Sequence, residues 1–121
     1  MNWQIILKKK RPLFNVFNVS ELVREATREW ADTVTPGESF FIFHIRRNII
    51  PFLEPKLKTV IEPSDPDRVR RAITAFITKN FKLKDVQNSI YDITIFNVLQ
   101  NQPNWIIKGK SAARADFKKV E

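Results

Sequence analysis

Apolar residues recur at helical spacing from Leu22 through Val23, Ala26 and Trp30 to Val34, with polar and charged residues between them. That period predicts an amphipathic helix. Ser20 stands ahead of it as an N-cap, and Glu21 adds a carboxylate where the helix dipole favours one. Thr35-Pro36-Gly37 ends it. The run Phe40-Phe41-Ile42-Phe43 reads equally as a short strand or as the start of a helix. From His44 to Leu53 the pattern is helical again, with Ile45, Ile49 and Phe52 on one face and Pro51 limiting its regularity. Pro55 to Pro63 reads as irregular or extended, with Thr59-Val60-Ile61 as a strand.

The second half carries a sharper start signal. Asp65-Pro66-Asp67 places an N-cap, a first-turn proline and a dipole-friendly carboxylate in order. The helix is expected to run to about Lys79 and to bury Val69, Ala72, Ile73, Phe76 and Ile77. Lys84 or Asp85 then opens a short helix through Ile90, and Asp92 caps another over Ile93 to Gln100. Ile93-Thr94-Ile95 leaves a second reading open, because three β-branched residues also suit a strand. After Pro103, Trp105 to Lys108 reads as a strand and Gly109 to Ala113 as a turn. Arg114 to Val120 returns as a strand, with Ala115, Phe117 and Lys119 on one face.

The two halves also resemble each other. Val23 to Trp30 aligns with Val69 to Phe76, with Val, Arg and Ala recurring in place and an aromatic closing both. Farther on, Phe40, Ile42, Ile45 and Ile49 match Phe81, Leu83, Val86 and Ile90 at one constant offset. Two tandem helix-turn-helix units account for this, and so does the apolar spacing that any two amphipathic helices share.

The order helix Pro66–Lys79, short helix Asp85–Ile90, helix Ile93–Gln100, hairpin Trp105–Val120 resembles a winged helix-turn-helix DNA-binding domain. The likeness is one of pattern and covers the C-terminal half. It implies an α+β, mainly helical fold with 64–121 as the winged-helix half, while the internal similarity reads 19–63 as a degenerate helical copy and the basic cluster reads 1–18 as an arm, in one unit. It also implies that the third helix enters the DNA major groove while the hairpin reaches an adjacent groove or the backbone.

Composition narrows the chemistry. The chain of 121 residues has no cysteine, one histidine and two glycines. That removes thiolate zinc sites, disulfides, thiol nucleophiles and Gly-rich phosphate loops. His44 lacks a second histidine for a metal set and reads as an ordinary imidazole. Neither an enzyme nor a cofactor is expected. No long apolar run spans a membrane, and Lys8-Lys9-Lys10-Arg11 follows the first apolar residues where a secretory signal needs charge ahead of them. The expected location is intracellular, cytoplasmic or nucleoid-associated.

The formal charge of +8 favours a polyanion, and the excess divides evenly between the halves. Nucleic acid is the expected partner, DNA in preference to RNA. Lys108, Lys110, Arg114 and Lys118 form the basic hairpin that would neutralise phosphates, and Lys119 adds to the strip. Arg46, Arg47 and the arm Lys8, Lys9, Lys10 and Arg11 are secondary contacts. Thr94, Asn97 and Asn101 share a polar face of the third helix, where Asn pairs with adenine. The pairs Glu21–Arg24 and Glu25–Arg28 read as surface ion pairs. Trp3, Trp30 and Trp105 are candidates for base stacking, but Trp30 on an apolar helical face and Trp105 at the head of a strand suit core packing better. The competing reading is a structural or adaptor protein of a virion or larger assembly, in which the basic surface meets protein or packaged nucleic acid without sequence preference. Self-association is compatible with either.

Overall fold

The computed structural model describes residues 16–60, 66–82 and 89–121. The first helix, α1 (Val16–Thr33), begins a turn earlier than Ser20 predicts. The apolar spacing of Val23 and Ala26 extends upstream to Val19, which is fully buried, and Ser20 is carried into the core side of the helix instead of capping it. Thr27 is buried there too, its hydroxyl donating to the Val23 carbonyl at 2.6 Å. The chain leaves α1 through Gly37, whose φ of +101° suits glycine.

The ambiguous aromatic run resolves into both of its readings: β1 (Ser39–Phe41) passes directly into helix α2 (Ile42–Asn48). Helix α3 (Ile50–Val60) replaces the extended segment expected from Pro55 onward, so Thr59 and Val60 are helical; Ile61 lies outside the described residues. The reason is the stripe Ile49, Leu53 and Leu57, all fully buried at four-residue spacing. Pro51 sits in the first turn, where its missing N–H costs nothing. Pro55 removes one hydrogen bond, and both prolines are on the exposed side, where water reaches the freed carbonyl.

Helix α4 (Pro66–Ile77) starts at the predicted proline and continues as a π-helical turn over Thr78–Lys82. Ile73, Ile77 and Phe81 are buried, and Phe76, Phe81 and Tyr91 form an aromatic group with centroids 5.4–6.1 Å apart. The predicted short helix 85–90 falls outside the described residues except for Ser89 and Ile90. Ile90 opens the next helix, α5 (Ile90–Gln100), and does not end an earlier one. Ser89 is its N-cap, accepting from the Asp92 amide at 3.1 Å, so Asp92 is a first-turn residue and not the cap. The strand reading of Ile93-Thr94-Ile95 fails: the segment is helical, with Ile93 half exposed and Ile95 fully buried, where a strand would put both on one face. Burying one such side chain contributes about 1.5–3 kcal/mol, against propensity penalties of a few tenths each.

β2 (Trp105–Lys108) and β3 (Asp116–Lys119) form the predicted hairpin, with a short 3-10 turn at Ala112–Arg114 between them. β1 adds to its other side, giving an antiparallel sheet in the order β1-β3-β2. Phe40, Phe117 and Ile107 form one cross-strand row and Phe41, Asp116 and Lys108 the next. The period-2 alternation of β3 holds: Ala115, Phe117 and Lys119 are all buried. Lys119 therefore leaves the basic strip. Its ammonium donates to the Ala31 carbonyl in the last turn of α1, where the helix dipole favours a cation.

The core is one cluster drawing on both halves, from Val19 to Phe117. Trp30, Phe40 and Trp105 meet in it, with centroids 5.0–6.4 Å apart, so both described tryptophans pack inside. α1 lies against both α3 and α5. The fold is α+β and mainly helical, and no helix among the described residues is long and apolar enough to cross a membrane. The two halves agree over Val23–Trp30 and Val69–Phe76, which are both helical, and diverge at the later matched positions. Phe40 is in a strand and Phe81 in the π-helical turn, while Ile49 is fully buried and Ile90 half exposed.

Gly109 turns the hairpin with φ of +129°, and a Cβ there would stand 2.9 Å from the Ala115 Cα. Gly109→Ala should therefore cost about 1–3 kcal/mol, read as a lower midpoint in urea unfolding. An unchanged midpoint would show that the turn relaxes freely.

Candidate functional site

Tight turns bind the hairpin to the end of α5. The Asn101 side-chain amide donates to the Asn97 carbonyl at 2.9 Å, and the Trp105 amide to the Gln102 carbonyl at 3.3 Å. Val120 closes the far side by donating to the Asn104 carbonyl at 2.9 Å. This sets the C-terminal end of α5 beside the hairpin, with Gln100, Ile107 and Gly109 bordering one depression. Lys108, Lys110, Arg114 and Lys118 are all exposed. None of them has a carboxylate within ion-pair distance among the described residues. Lys118 stands on the outer face of the sheet, opposite Ser39 and Ile106.

α5 shows solvent a narrow stripe. Ile90, Ile93, Asn97 and Gln100 are exposed along it, and Asn101 continues it past the last turn. Asn97 and Asn101 are therefore accessible. Thr94 is not: it is buried, and its hydroxyl donates to the Ile90 carbonyl at 2.9 Å. The helix lies between α1 and the hairpin, so only that stripe is free, and Thr94 falls on the covered side. Gln100 takes a position in the same stripe.

Arg46 is also corrected. Its side chain is 1% exposed and lies beside fully buried Asp92, Nε to carboxylate oxygen 3.3 Å. A guanidinium enclosed in this way cannot reach a phosphate. Arg46 Nε and Nη1 and both Asp92 oxygens lack an aligned hydrogen bond, so charge more than geometry holds the pair. Burial pushes the Asp92 carboxyl above the usual carboxylate range, while the Arg46 charge and the neighbouring Ser89 groups pull it back. Arg47 is exposed, with one guanidinium N–H on the Lys82 carbonyl at 3.1 Å, where it ties α2 to the π-helical turn. Lys8, Lys9, Lys10 and Arg11 lie outside the described residues. His44 accepts from the Phe41 amide at 3.4 Å and stacks beside Phe43, a local role at the start of α2.

The surface has a neighbour that spacing alone did not reveal. Arg24 and Arg28 of α1 face Asn97, Val98, Asn101 and Gln102 across a cleft of about 340 Å³. On its hairpin side α5 borders a smaller depression of about 180 Å³, lined by Phe96, Gln100, Trp105, Ile107 and Gly109. The expected Glu25–Arg28 pair does not form. Glu25 and Glu29 both turn to Lys56 of α3, at 3.9 and 2.8 Å. Among the described residues, no three His, Asp or Glu side chains come together in a way that could hold a metal ion. No protein-family model, no curated protein and no solved structure matches this chain.

Proposed function

We propose that the protein binds double-stranded nucleic acid, DNA in preference to RNA, as a small regulator or accessory factor of winged-helix type. The observation that carries this reading is the hairpin, where four exposed cations stand with no carboxylate within ion-pair distance among the described residues, although Asp116 is the cross-strand neighbour of Lys108. Cations arranged this way release counterions when they meet phosphates, which is the main source of duplex affinity. The α5–hairpin succession supports the winged-helix assignment, with α5 as the helix that approaches the major groove. Base readout in this reading narrows to Asn97, Gln100 and Asn101, since Thr94 is covered. B-DNA admits a helix in its major groove and A-form RNA does not, which favours DNA.

A second reading has its own observation. Phe41 and Ile106 are 51% and 47% exposed, and both belong to the outer face of the sheet with Lys108 and Lys118. Large apolar residues among cations suit a protein contact, as in an adaptor or a component of a larger assembly.

Titrating random and selected duplexes at two salt concentrations separates the two. Steep salt dependence is expected, with a preference among sequences if the α5 amides read bases. Binding without preference would assign the surface to packaging or architecture. No binding at low salt would overturn the nucleic-acid reading and leave the adaptor.

A further inference from the structure

We propose that the cleft between α1 and α5 binds one nucleotide unit, a phosphate together with its base. Arg24 and Arg28 are four residues apart and so share one face of α1. Arg28 is exposed, with no ion-pair partner among the described residues. Arg24 has Glu21 at 2.6 Å, but both side chains are well exposed, and such a pair is weak enough to yield to a stronger anion. Among the described residues no carboxylate lines the cleft. Two planar guanidinium forks without an acid between them match a phosphate.

The opposite wall sets the rest of the ligand. Asn97, Asn101 and Gln102 each carry both a donor and an acceptor, which a simple anion would leave half used. A heterocyclic base presents both. Asn101 spends one amide hydrogen on the Asn97 carbonyl, so its side-chain orientation is held and its oxygen is left for a base donor. At about 340 Å³ the space lies at the small end of ligand sites, which run from about 300 to 1,000 Å³. That size favours a single nucleotide over an extended ligand. The inference does not depend on the hairpin.

The test is calorimetric titration of the full chain with the 5′-nucleoside monophosphates, inorganic phosphate and a short single-stranded oligonucleotide. A mononucleotide is expected to saturate a single site and to bind better than phosphate. Arg28→Ala should weaken it about tenfold or more, as expected for losing a charged hydrogen-bond pair. Arg28→Lys should recover only part, because the fork is lost. Lys108→Ala with Lys110→Ala should bind the mononucleotide like the wild type, which keeps this result separate from the hairpin reading. An oligonucleotide that binds more tightly through Arg28 identifies the nucleotide as part of a strand; binding of the free monomer alone identifies a soluble effector. Phosphate binding as tightly as the nucleotide, saturation by neither, or an unaltered Arg28→Ala variant would overturn the proposal.

Discussion

Arg46→Ala is expected to destabilise the fold by about 3–5 kcal/mol at neutral pH, the usual cost of leaving one member of a buried ion pair alone. Asp92 would then be a fully buried carboxylate without the one cation that pairs with it among the described residues. The cost should depend on pH with a definite sign. Burial already raises the Asp92 pKa in the presence of Arg46, and removing that charge raises it further. Between the ordinary and the raised values the folded state holds a proton that the unfolded chain releases, so stability falls as pH rises through that window. In the variant the window widens upward, and stability is regained as pH falls through it. Urea unfolding at pH 7 and pH 5 measures this. A deficit equal at the two pH values would show that Asp92 is not the group left uncompensated. The pair's poor alignment gives a further expectation. Arg46→Met with Asp92→Leu should recover most of the loss or exceed the wild type, because apolar packing replaces a pair that burial penalises.

That pair marks the boundary of what the chain's pattern discloses. Pro66 and Asp67 at a helix start, the Trp105–Lys119 hairpin and the inward alternation of Ala115 and Phe117 all follow from local spacing and turn chemistry. Arg46 and Asp92 are far apart in sequence, and nothing around either predicts the other. Beside Arg47 on a polar stretch, Arg46 reads as a surface cation until α5 is placed against α2. Lys119 shows two local rules in conflict. Period two sends it inward and its charge argues for solvent; the outcome depends on the Ala31 carbonyl, which belongs to another element. Pro55 likewise suggests a break, and the helix continues because Ile49, Leu53 and Leu57 gain burial against α1. The candidate site divides in the same way. The hairpin cations are visible in the sequence because a turn exposes whatever it carries. The Arg24–Arg28 cleft is not, because i,i+3 spacing pairs Arg28 with Glu25 on paper, whereas Lys56 draws Glu25 and Glu29 away.

The proposed duplex contact leads to the second large effect. Replacing Lys108, Lys110, Arg114 and Lys118 together by alanine should reduce the dependence of log K on log salt by about 3–4, since each phosphate contact contributes about 0.9 to that slope. All four side chains are exposed and unpaired among the described residues, so the variant should keep its unfolding midpoint and report on binding alone. Arg46 and Lys119 stay in place because both are structural. The loss should be uniform across duplex sequences, since phosphates carry no base identity. Asn97→Ala and Asn101→Ala, by contrast, should change the ranking of sequences and leave the salt slope as it was. An intact slope in the fourfold variant would take the hairpin out of the interface. If duplex affinity then persisted, the remaining cations would have to carry it, and Arg24 and Arg28 are the first to replace, because they border the same amides on α5.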